Sequence, residues 1–166
     1  MLEVWDAYNE SFEKIENIQL IRKQPIPEGM YHLVSDIIVQ HQDGTYLLMQ
    51  RDWQKRFGGL WELSAGGAAL QNETALQCAK RELKEETGIV SQDFSEIGRH
   101  MDKEHQTLYV IFLCHTDVSK DSISLQEGET IDYRWENLKT IIHNKDVISL
   151  RSIEILKKAI VQNKVQ

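Results

Sequence analysis

Three glutamates with a helical spacing are the residues of this 166-residue chain that point most directly to chemistry. Glu82, Glu85 and Glu86 follow one another at i, i+3 and i+4, so a helix would place all three on one face. Like charges at this spacing weaken a helix by roughly a few tenths of a kcal/mol per pair, and a bound cation would remove that cost. Carboxylate oxygens suit Mg²⁺ or Mn²⁺, which often share their ligands with substrate phosphates. The spacing predicts metal-assisted phosphate chemistry, and a solvated acidic helix face is the alternative.

A longer pattern surrounds these glutamates. Gly67 is followed after five residues by Glu73, and Glu73 is followed after seven by the segment RELKEETGI, which ends at Ile89. The whole segment 67–89 matches every fixed position of GX5EX7REUXEEXGU, where U is a bulky aliphatic residue. This pattern is the Nudix box, and the chain therefore resembles the Nudix hydrolase superfamily, which includes the MutT-like proteins.

The resemblance implies a metal site with four protein ligands. In the superfamily, glutamates at the positions of Glu82, Glu85 and Glu86 hold one to three divalent cations, here Mg²⁺ or Mn²⁺. A backbone carbonyl of the glycine pair, assigned here to Gly66, is the fourth ligand, and a glycine lets the backbone approach the metal. The cations neutralise a diphosphate and activate water for attack on phosphorus. The resemblance thus implies a pyrophosphohydrolase acting on a diphosphate linked to another group.

Two further roles follow from the same resemblance. Arg81 and Glu73 would orient the carboxylate cluster through ion pairs. Members of the superfamily often place another carboxylate on a loop before a late strand, where it serves as general base or metal ligand. The segment QEGETIDYRW offers Glu127, Glu129 and Asp132 there, and Glu129 is the preferred candidate. The alternative for each of these carboxylates is an exposed position with no role in catalysis or metal binding.

The resemblance extends beyond the box to the branch related to isopentenyl-diphosphate isomerase. The segments VWDAYNESFEKI, RKQPIPEGMYHLV, LLMQRD and GGLWELSAGG carry it, and they imply a β extension over residues 1–29 of a single domain spanning 1–166. The isomerases use a cysteine after the strand equivalent to 46–51, where this chain has RDWQKRFGGLW. Cys78 and Cys114 lie elsewhere, within a predicted helix and a predicted strand. We therefore predict hydrolysis, with a non-catalytic nucleotide-binding sensor and an isomerase as alternatives.

Local patterns indicate the elements that position these residues. Thr74 and Gln77 form a capping box ahead of the box helix, and Gly88 stands at its C-cap. Asn72 replaces the glycine usual before the first glutamate of the box, and asparagine tolerates a left-handed backbone.

Residues 1–24 have both helical and strand features, and the resemblance favours strands. The remaining predictions are a hairpin over 31–41 and 45–50, strands over 108–115 and 130–136, and helices over 136–144 and 149–163. Together they indicate a sheet with helices on its faces, and the resemblance implies an α+β fold, the Nudix α/β/α sandwich with a mixed central β-sheet.

Composition excludes several classes of protein. The chain is 41% hydrophobic and 27% charged, with two prolines and nine glycines, which is typical of one soluble globular domain without a linker. Its net charge of −7 argues against nucleic-acid polymers as partners. No segment reaches the roughly 18 apolar residues that span a membrane, so we expect a cytoplasmic protein with no membrane contact. The two cysteines form no CxxC pair and are predicted to be buried thiols.

The sequence indicates candidates for substrate contact without choosing a substrate. Arg51, Lys55 and Arg56 can grip phosphates, and of these Arg51 and Arg56 are the preferred substrate-binding residues. Surface ion pairs with Asp52 or Glu62 are the alternative for both arginines. The same region contains three aromatic residues that either stack on a base or belong to the core, Trp53, Phe57 and Trp61. A homodimer formed through the N-terminal segment also remains open.

Overall fold

A mixed β-sheet with helices on both faces organises the protein. The computed structural model describes residues 2–144, 146 and 150–162. These residues form nine strands, β1 (Val4–Tyr8), β2 (Lys14–Ile21), β3 (His32–His41), β4 (Tyr46–Arg51), β5 (Trp61–Leu63), β6 (Ala65–Ala68), β7 (Phe94–Asp102), β8 (Thr107–Thr116) and β9 (Thr130–Glu136). They also form three α-helices, α1 (Ala75–Thr87), α2 (Leu138–His143) and α3 (Leu150–Val161).

The strand β3 lies at the centre of a seven-stranded sheet. It pairs in parallel with β8 along its whole length, and β7 continues that side in antiparallel pairing with β8. On its other side β3 pairs antiparallel with β6 and, at its end, with β4. The strand β4 in turn pairs antiparallel with β5 and β9. The predicted mixed sheet is therefore confirmed.

The predicted hairpin of β3 and β4 is paired only next to its turn. Gln40 faces Tyr46 there, and the two strands separate beyond this pair. Ser64 fills the gap, because its hydroxyl accepts a hydrogen bond from Val39 N at 2.8 Å and donates one to Leu47 O at 2.9 Å. A side chain thus satisfies backbone groups that no neighbouring strand reaches. The separation leaves the edge of β3 open for β6, which brings the glycine pair to the site.

Alternating residues of β3 supply the cores on both faces of the sheet. Ile37 and Val39 pack in the cluster that contains Leu83 of α1. Ile38 packs in the opposite cluster, which contains Leu156 of α3. A strand with apolar residues on both sides is typical of a sheet covered on both faces. The predicted α/β/α sandwich is confirmed.

The helix α1 begins and ends where the sequence predicts. Thr74 Oγ1 accepts a hydrogen bond from Gln77 N at 3.2 Å, and Gln77 Oε1 accepts one from Thr74 N at 2.9 Å. Gly88 is left-handed with φ 76°, and its N–H donates to Lys84 O. Asn72, which replaces the usual glycine of the box, has φ 64°, so the asparagine takes a left-handed backbone conformation as expected. Because these signals are local, they could be identified without the tertiary structure.

Leu83 anchors α1 to the sheet, and its truncation is expected to destabilise the fold. Leu83 is fully buried, whereas Leu76 of the same helix is 39% exposed. Leu83→Ala is expected to lower the free energy of unfolding by about 2–5 kcal/mol through lost burial and a residual cavity. The control Leu76→Ala should lower it by less than about 1 kcal/mol. Urea denaturation of both variants measures the difference, and equal losses would contradict this assignment of the core.

The first residues of the chain form a hairpin of their own. The strands β1 and β2 pair antiparallel as a two-stranded sheet, which confirms the strands favoured by the resemblance. Trp5, Ala7 and Leu20 are buried in a separate cluster beneath this hairpin. Tyr8 and Tyr31 exchange two backbone hydrogen bonds of 2.9 Å, which join the hairpin to the chain just before β3.

Some elements differ from the sequence predictions. The helix predicted over 136–144 begins only at Leu138, because the Asn137 side chain accepts a hydrogen bond from Thr140 N and caps it. The helix predicted over 149–163 is α3, and the two terminal positions of that prediction lie outside the described residues. The helical spacing of Ile153, Leu156 and Ile160 predicts one apolar stripe on this helix; Ile153 and Leu156 are buried, whereas Ala159 and not Ile160 is the third buried residue. The strand β7 was not predicted, since its apolar and polar residues do not alternate.

Candidate active site

A cavity of about 410 Å³ brings together most of the predicted site residues. Strand β6 forms one wall with its glycine pair, and the polar face of α1 forms another. The loop after β4, the loop before β9 and the N-terminal hairpin complete the cavity. Its charged lining consists of three cations, Arg22, Lys55 and Arg81, and five carboxylates, Glu3, Glu82, Glu85, Glu86 and Glu129. The excess of negative charge would repel a phosphate unless further cations were bound.

The three helix glutamates differ in exposure because α1 packs against the sheet. Glu86 faces the sheet and is 7% exposed. The Glu82 side chain is 13% exposed, and the Glu85 side chain is 47% exposed. Burial raises the pKa of Glu82, an effect that the hydrogen bond from Arg81 opposes. The predicted shared face therefore runs from a buried carboxylate to a solvated one.

Glu86 is a buried carboxylate whose surroundings favour its protonated form. Its pKa is raised to about 8, first by burial and then by the charges of Glu62 and Glu82. Among the described residues, its hydrogen bond comes from the backbone N–H of Gly66 at 3.3 Å. The positive charge of Lys55 counteracts the shift only in part. A divalent cation would satisfy this carboxylate in its charged form.

The glycine pair is required by close packing. A Cβ on Gly67 would lie 2.2 Å from Glu82 Oε1, and a Cβ on Gly66 would lie 2.9 Å from Asp36 Oδ1 and 2.9 Å from Ser35 O. Neither glycine has a positive φ, so it is the space beside the backbone that demands the missing side chain. The Glu82 carboxylate thus rests directly on the backbone of β6.

Arg81 is the centre of an ion-pair network. Its guanidinium donates to both carboxylate oxygens of Glu73, at 2.9 Å and 2.8 Å. Its Nη1 donates to Glu82 Oε1 at 2.6 Å and to Glu85 Oε2 at 3.2 Å, and its Nη2 donates to Ala68 O at 3.1 Å. The pKa of Arg81 is raised, chiefly by the hydrogen bond with Glu73. Arg81 thus contacts Glu73, Glu82 and Glu85 together, and the orienting role of Arg81 and Glu73 stays a prediction.

The donor set fits a divalent cation, although the carboxylates do not yet converge. No group of three Asp, Glu, His or Cys side chains among the described residues is arranged to hold a metal ion. Glu82 and Glu85 instead bond to Arg81. A cation that displaced Arg81 from these oxygens would find hard oxygen donors beside the buried Glu86. The carboxylate oxygens present are of the kind that suits Mg²⁺ or Mn²⁺.

The late carboxylate Glu129 lies in the cavity, where it contacts a cation from another loop. Glu129 forms an ion pair with Lys55, and Glu129 O accepts a hydrogen bond from Asp52 N at 2.9 Å. These two contacts join the loop after β4 to the loop before β9. Lys55 is half-buried, and burial lowers its pKa, with Arg51 lowering it further. The sequence analysis preferred Arg51 and Arg56 to Lys55 for substrate contact, because the contact between Lys55 and Glu129 joins two loops that are distant in sequence.

The two preferred arginines lie outside the cavity lining. Arg51 Nη1 donates to Glu62 Oε2 at 2.6 Å, which is the ion pair that the sequence offered as the alternative. Arg56 lies over the ring of Phe57 at 4.8 Å. Glu62 is partly buried, and burial raises its pKa while Arg51 lowers it. The contact of either arginine with substrate stays a prediction.

Comparisons with known proteins match most of the chain to Nudix proteins. The NUDIX domain description matches residues 30–157. An uncharacterized Nudix hydrolase of Listeria innocua, lin0387, is 31% identical over 138 residues, which cover 81% of this chain and 79% of the relative. The uncharacterized Nudix hydrolase YfcD of Escherichia coli is 30% identical over 154 residues, which cover 91% of this chain and 83% of the relative. The resemblance to the isomerase-related branch stays a prediction.

Solved structures share the fold. DR0079 from Deinococcus radiodurans matches with a TM-score of 0.73 at 16% identity, over 93% of this chain and 98% of that one. The Nudix domain of Shewanella oneidensis NrtR, complexed with ADP ribose, matches with a TM-score of 0.62 at 20% identity, over 78% and 88% of the two chains. A C. elegans Ap4A hydrolase, solved as a binary complex, matches with a TM-score of 0.60 at 17% identity, over 81% of this chain and 99% of that one.

The sandwich and its glutamate-bearing helix define a Nudix domain. The NUDIX domain match spans most of the chain, and so do the Nudix hydrolase relatives from Listeria innocua and Escherichia coli. The chain belongs to the Nudix hydrolase family, whose activity is the hydrolysis of diphosphate bonds.

Proposed function

We propose that the protein is a Mg²⁺- or Mn²⁺-dependent pyrophosphohydrolase that cleaves a nucleoside diphosphate linked to another moiety. The observation that carries this proposal is the buried Glu86 carboxylate, which stands beside Glu82 and the glycine pair in a cavity with excess negative charge. Cations bound there would neutralise the diphosphate and activate the attacking water. Glu82, Glu85, Glu86 and the Gly66 carbonyl are the proposed ligands.

The remaining residues of the cavity have proposed roles that follow from their contacts. Arg81 orients the carboxylates, since it bonds to Glu82, Glu85 and Glu73 together. Glu129 accepts a proton from water as general base or supplies a further ligand, and Lys55 holds its carboxylate in the cavity. Both lie on loops at the rim, where they can meet a phosphate that enters from solvent.

The substrate class rests on the structural neighbours and on the charge of the site. One neighbour is complexed with ADP ribose, and another is named as an Ap4A hydrolase, so both act on or bind nucleotide derivatives. We infer a small nucleotide derivative as substrate for this chain. A nucleic-acid polymer is disfavoured by the net charge of −7.

The positions of the cysteines favour hydrolysis over isomerisation. Cys78 and Cys114 are both fully buried, and burial raises the pKa of the two thiols to about 12 and about 11. Neither belongs to the cavity lining, so neither meets the requirements of an isomerase cysteine. An isomerase of this type needs a reactive group in contact with its substrate.

Cellular location, domain number and oligomeric state are also proposed. The described residues include no helix long and apolar enough to cross a membrane. We propose a cytoplasmic protein that folds as one domain over residues 1–166. A homodimer is a further proposal, and size-exclusion chromatography with light scattering tests it.

A substrate panel tests the proposed function. Purified protein is incubated with Mg²⁺ or Mn²⁺ and with nucleoside triphosphates, nucleotide sugars, dinucleoside polyphosphates, coenzyme A and prenyl diphosphates, and released phosphate and nucleoside monophosphate are measured. We expect turnover of at least one nucleotide class and its loss in a chelator. Tight binding of a nucleotide without turnover would instead support a sensor, and no binding of any nucleotide would contradict the proposal.

A further inference from the structure

The N-terminal hairpin is fastened to the loop that precedes α1. Asp6 is 4% exposed. Its Oδ2 accepts a hydrogen bond from Asn72 N at 2.8 Å and forms an ion pair with Lys14 Nζ at 2.9 Å. Lys14 also donates to Asn72 Oδ1 at 3.1 Å, and Gln71 N donates to Val4 O at 2.9 Å. The hairpin is therefore held in a fixed position relative to the glutamate-bearing helix.

The open end of this hairpin presents an arginine to the cavity. Arg22 follows β2, and its backbone N–H donates to Glu3 O at 3.0 Å. Its Nη1 donates to Glu3 Oε2 at 2.6 Å, while Glu3 Oε1 accepts from Trp5 Nε1 at 2.8 Å. The ring of Trp5 stacks on His32 at 4.5 Å. Glu3 thus has a fixed position and directs Arg22 to the cavity rim.

Arg22 is the most available of the three cations in the cavity lining. Arg81 is shared among three carboxylates, and Lys55 is half-buried in its ion pair with Glu129. The Arg22 side chain is 58% exposed, and within the described part of the chain it bonds to Glu3 alone. A guanidinium has five N–H donors, so most of them remain for a second anion. A guanidinium also matches the geometry of a phosphate better than an ammonium does.

The charges of Arg22 and Lys55 act on the same region. Arg22 and Lys55 both line the cavity, Arg22 at the end of the hairpin and Lys55 on the loop after β4. Two cations that repel one another favour an anion between them. The carboxylates of α1 lie on a different wall of the cavity, where bound cations would meet the diphosphate. Arg22 and Lys55 are each paired with a carboxylate, so at the rim it is the unused N–H donors of the exposed Arg22 that suit a further anion.

We propose that Arg22 is a specificity-determining residue that binds a terminal phosphate of the substrate. A terminal phosphate carries about −1.5 to −2 charge near pH 7, whereas a phosphate capped on both sides carries one charge. The substrate class is thus a nucleotide with an uncapped terminal phosphate, such as a nucleoside triphosphate, in preference to a nucleotide sugar. This inference rests on the proposed function, which it makes more specific.

Paired substrates with the same base test this inference. Steady-state kinetics of the wild-type protein, Arg22→Ala, Arg22→Lys and Lys23→Ala are measured with ATP and with ADP ribose. We expect Arg22→Ala to lower kcat/KM for ATP by about 10- to 100-fold, mainly through KM, because a charge-assisted contact of ordinary strength is lost. The change for ADP ribose should stay below about threefold. Arg22→Lys should recover part of the loss, and Lys23→Ala is the matched exposed control.

A binding measurement separates failure of this inference from failure of the proposed function. Titration calorimetry with Mg²⁺ and imidodiphosphate, a diphosphate with two uncapped ends that resists hydrolysis, needs no turnover. Wild-type protein should bind it about 10- to 100-fold more tightly than Arg22→Ala does. Equal affinities, or no binding to the wild-type protein, would overturn the role of Arg22 whether or not the enzyme is active. If the wild-type protein still binds imidodiphosphate more tightly than Arg22→Ala but hydrolyses no diphosphate, the proposed hydrolysis is overturned and the role of Arg22 stands.

Discussion

Glu86→Gln is expected to lower kcat by about 10³-fold while the protein remains folded. Glutamine keeps the size of the side chain and its contact with the Gly66 N–H, but it removes the charge proposed to bind the cation. Loss of one anionic ligand removes several kcal/mol of transition-state stabilisation, and about 4 kcal/mol corresponds to roughly three orders of magnitude. Steady-state assays on the substrate found in the panel measure the effect.

Two measurements show whether this loss comes from the cation site. Burial raises the pKa of Glu86 to about 8, and an amide resembles the neutral acid, so the Tm in a chelator should not fall below that of the wild-type protein. Mg²⁺ should raise the Tm of the wild-type protein more than that of the variant. Glu127→Gln is the matched control, since Glu127 is exposed and lies outside the cavity lining. Near wild-type turnover of Glu86→Gln would refute the assignment of the site.

Gly67→Ala is expected to reduce kcat/KM by about 100-fold. The added Cβ would stand 2.2 Å from Glu82 Oε1 and 2.3 Å from Glu82 Cδ, so this carboxylate would have to leave its place over β6. Displacement of a catalytic group by about 1 Å costs on the order of 10² in rate. The loss should appear in the same assays, and the apparent affinity for Mn²⁺, followed by titration, should weaken with it.

Gly44→Ala provides the matched control for this glycine. Gly44 lies in the turn between β3 and β4 with φ 86° and open space around its Cβ position. Alanine there is strained, so the free energy of unfolding should fall by about 1 kcal/mol while activity stays within twofold of wild type. Gly67→Ala should show the opposite pattern, with a large loss of activity. Activity of Gly67→Ala within threefold of wild type would show that the Glu82 carboxylate can move without consequence.

The box helix illustrates what a single sequence can predict. Its start depends on Thr74 and Gln77, its end depends on Gly88, and its glutamates are aligned by helical geometry alone. All of these effects act between residues a few positions apart. The strand β8 was predicted because its apolar run was long enough to indicate burial on both faces. By contrast, β7 has one clearly buried apolar side chain, Ile97, and no pattern distinguishes it from a loop.

The cavity shows what required the tertiary structure. Lys55 reaches Glu129 across 74 positions of sequence, and Asp6 reaches Asn72 across 66. No local signal marks either pair, because each depends on how separate loops and strands pack. The burial of Glu86 was hidden for the same reason, since sequence placed three glutamates on one face without showing which of them the sheet covers.

The sequence by itself determined the helix, its carboxylates and the family, because short-range geometry and an ordered pattern of residue types are written along the chain. Its strand and helix signals indicated a sheet with helices on its faces, and the family resemblance implied the sandwich with a mixed sheet. Only the tertiary structure decided that Arg51 pairs with Glu62 outside the cavity lining, while Arg22 from the hairpin lies at its rim. The physical reason is that a charged side chain finds its partner through space, and the packing of the sheet sets those distances.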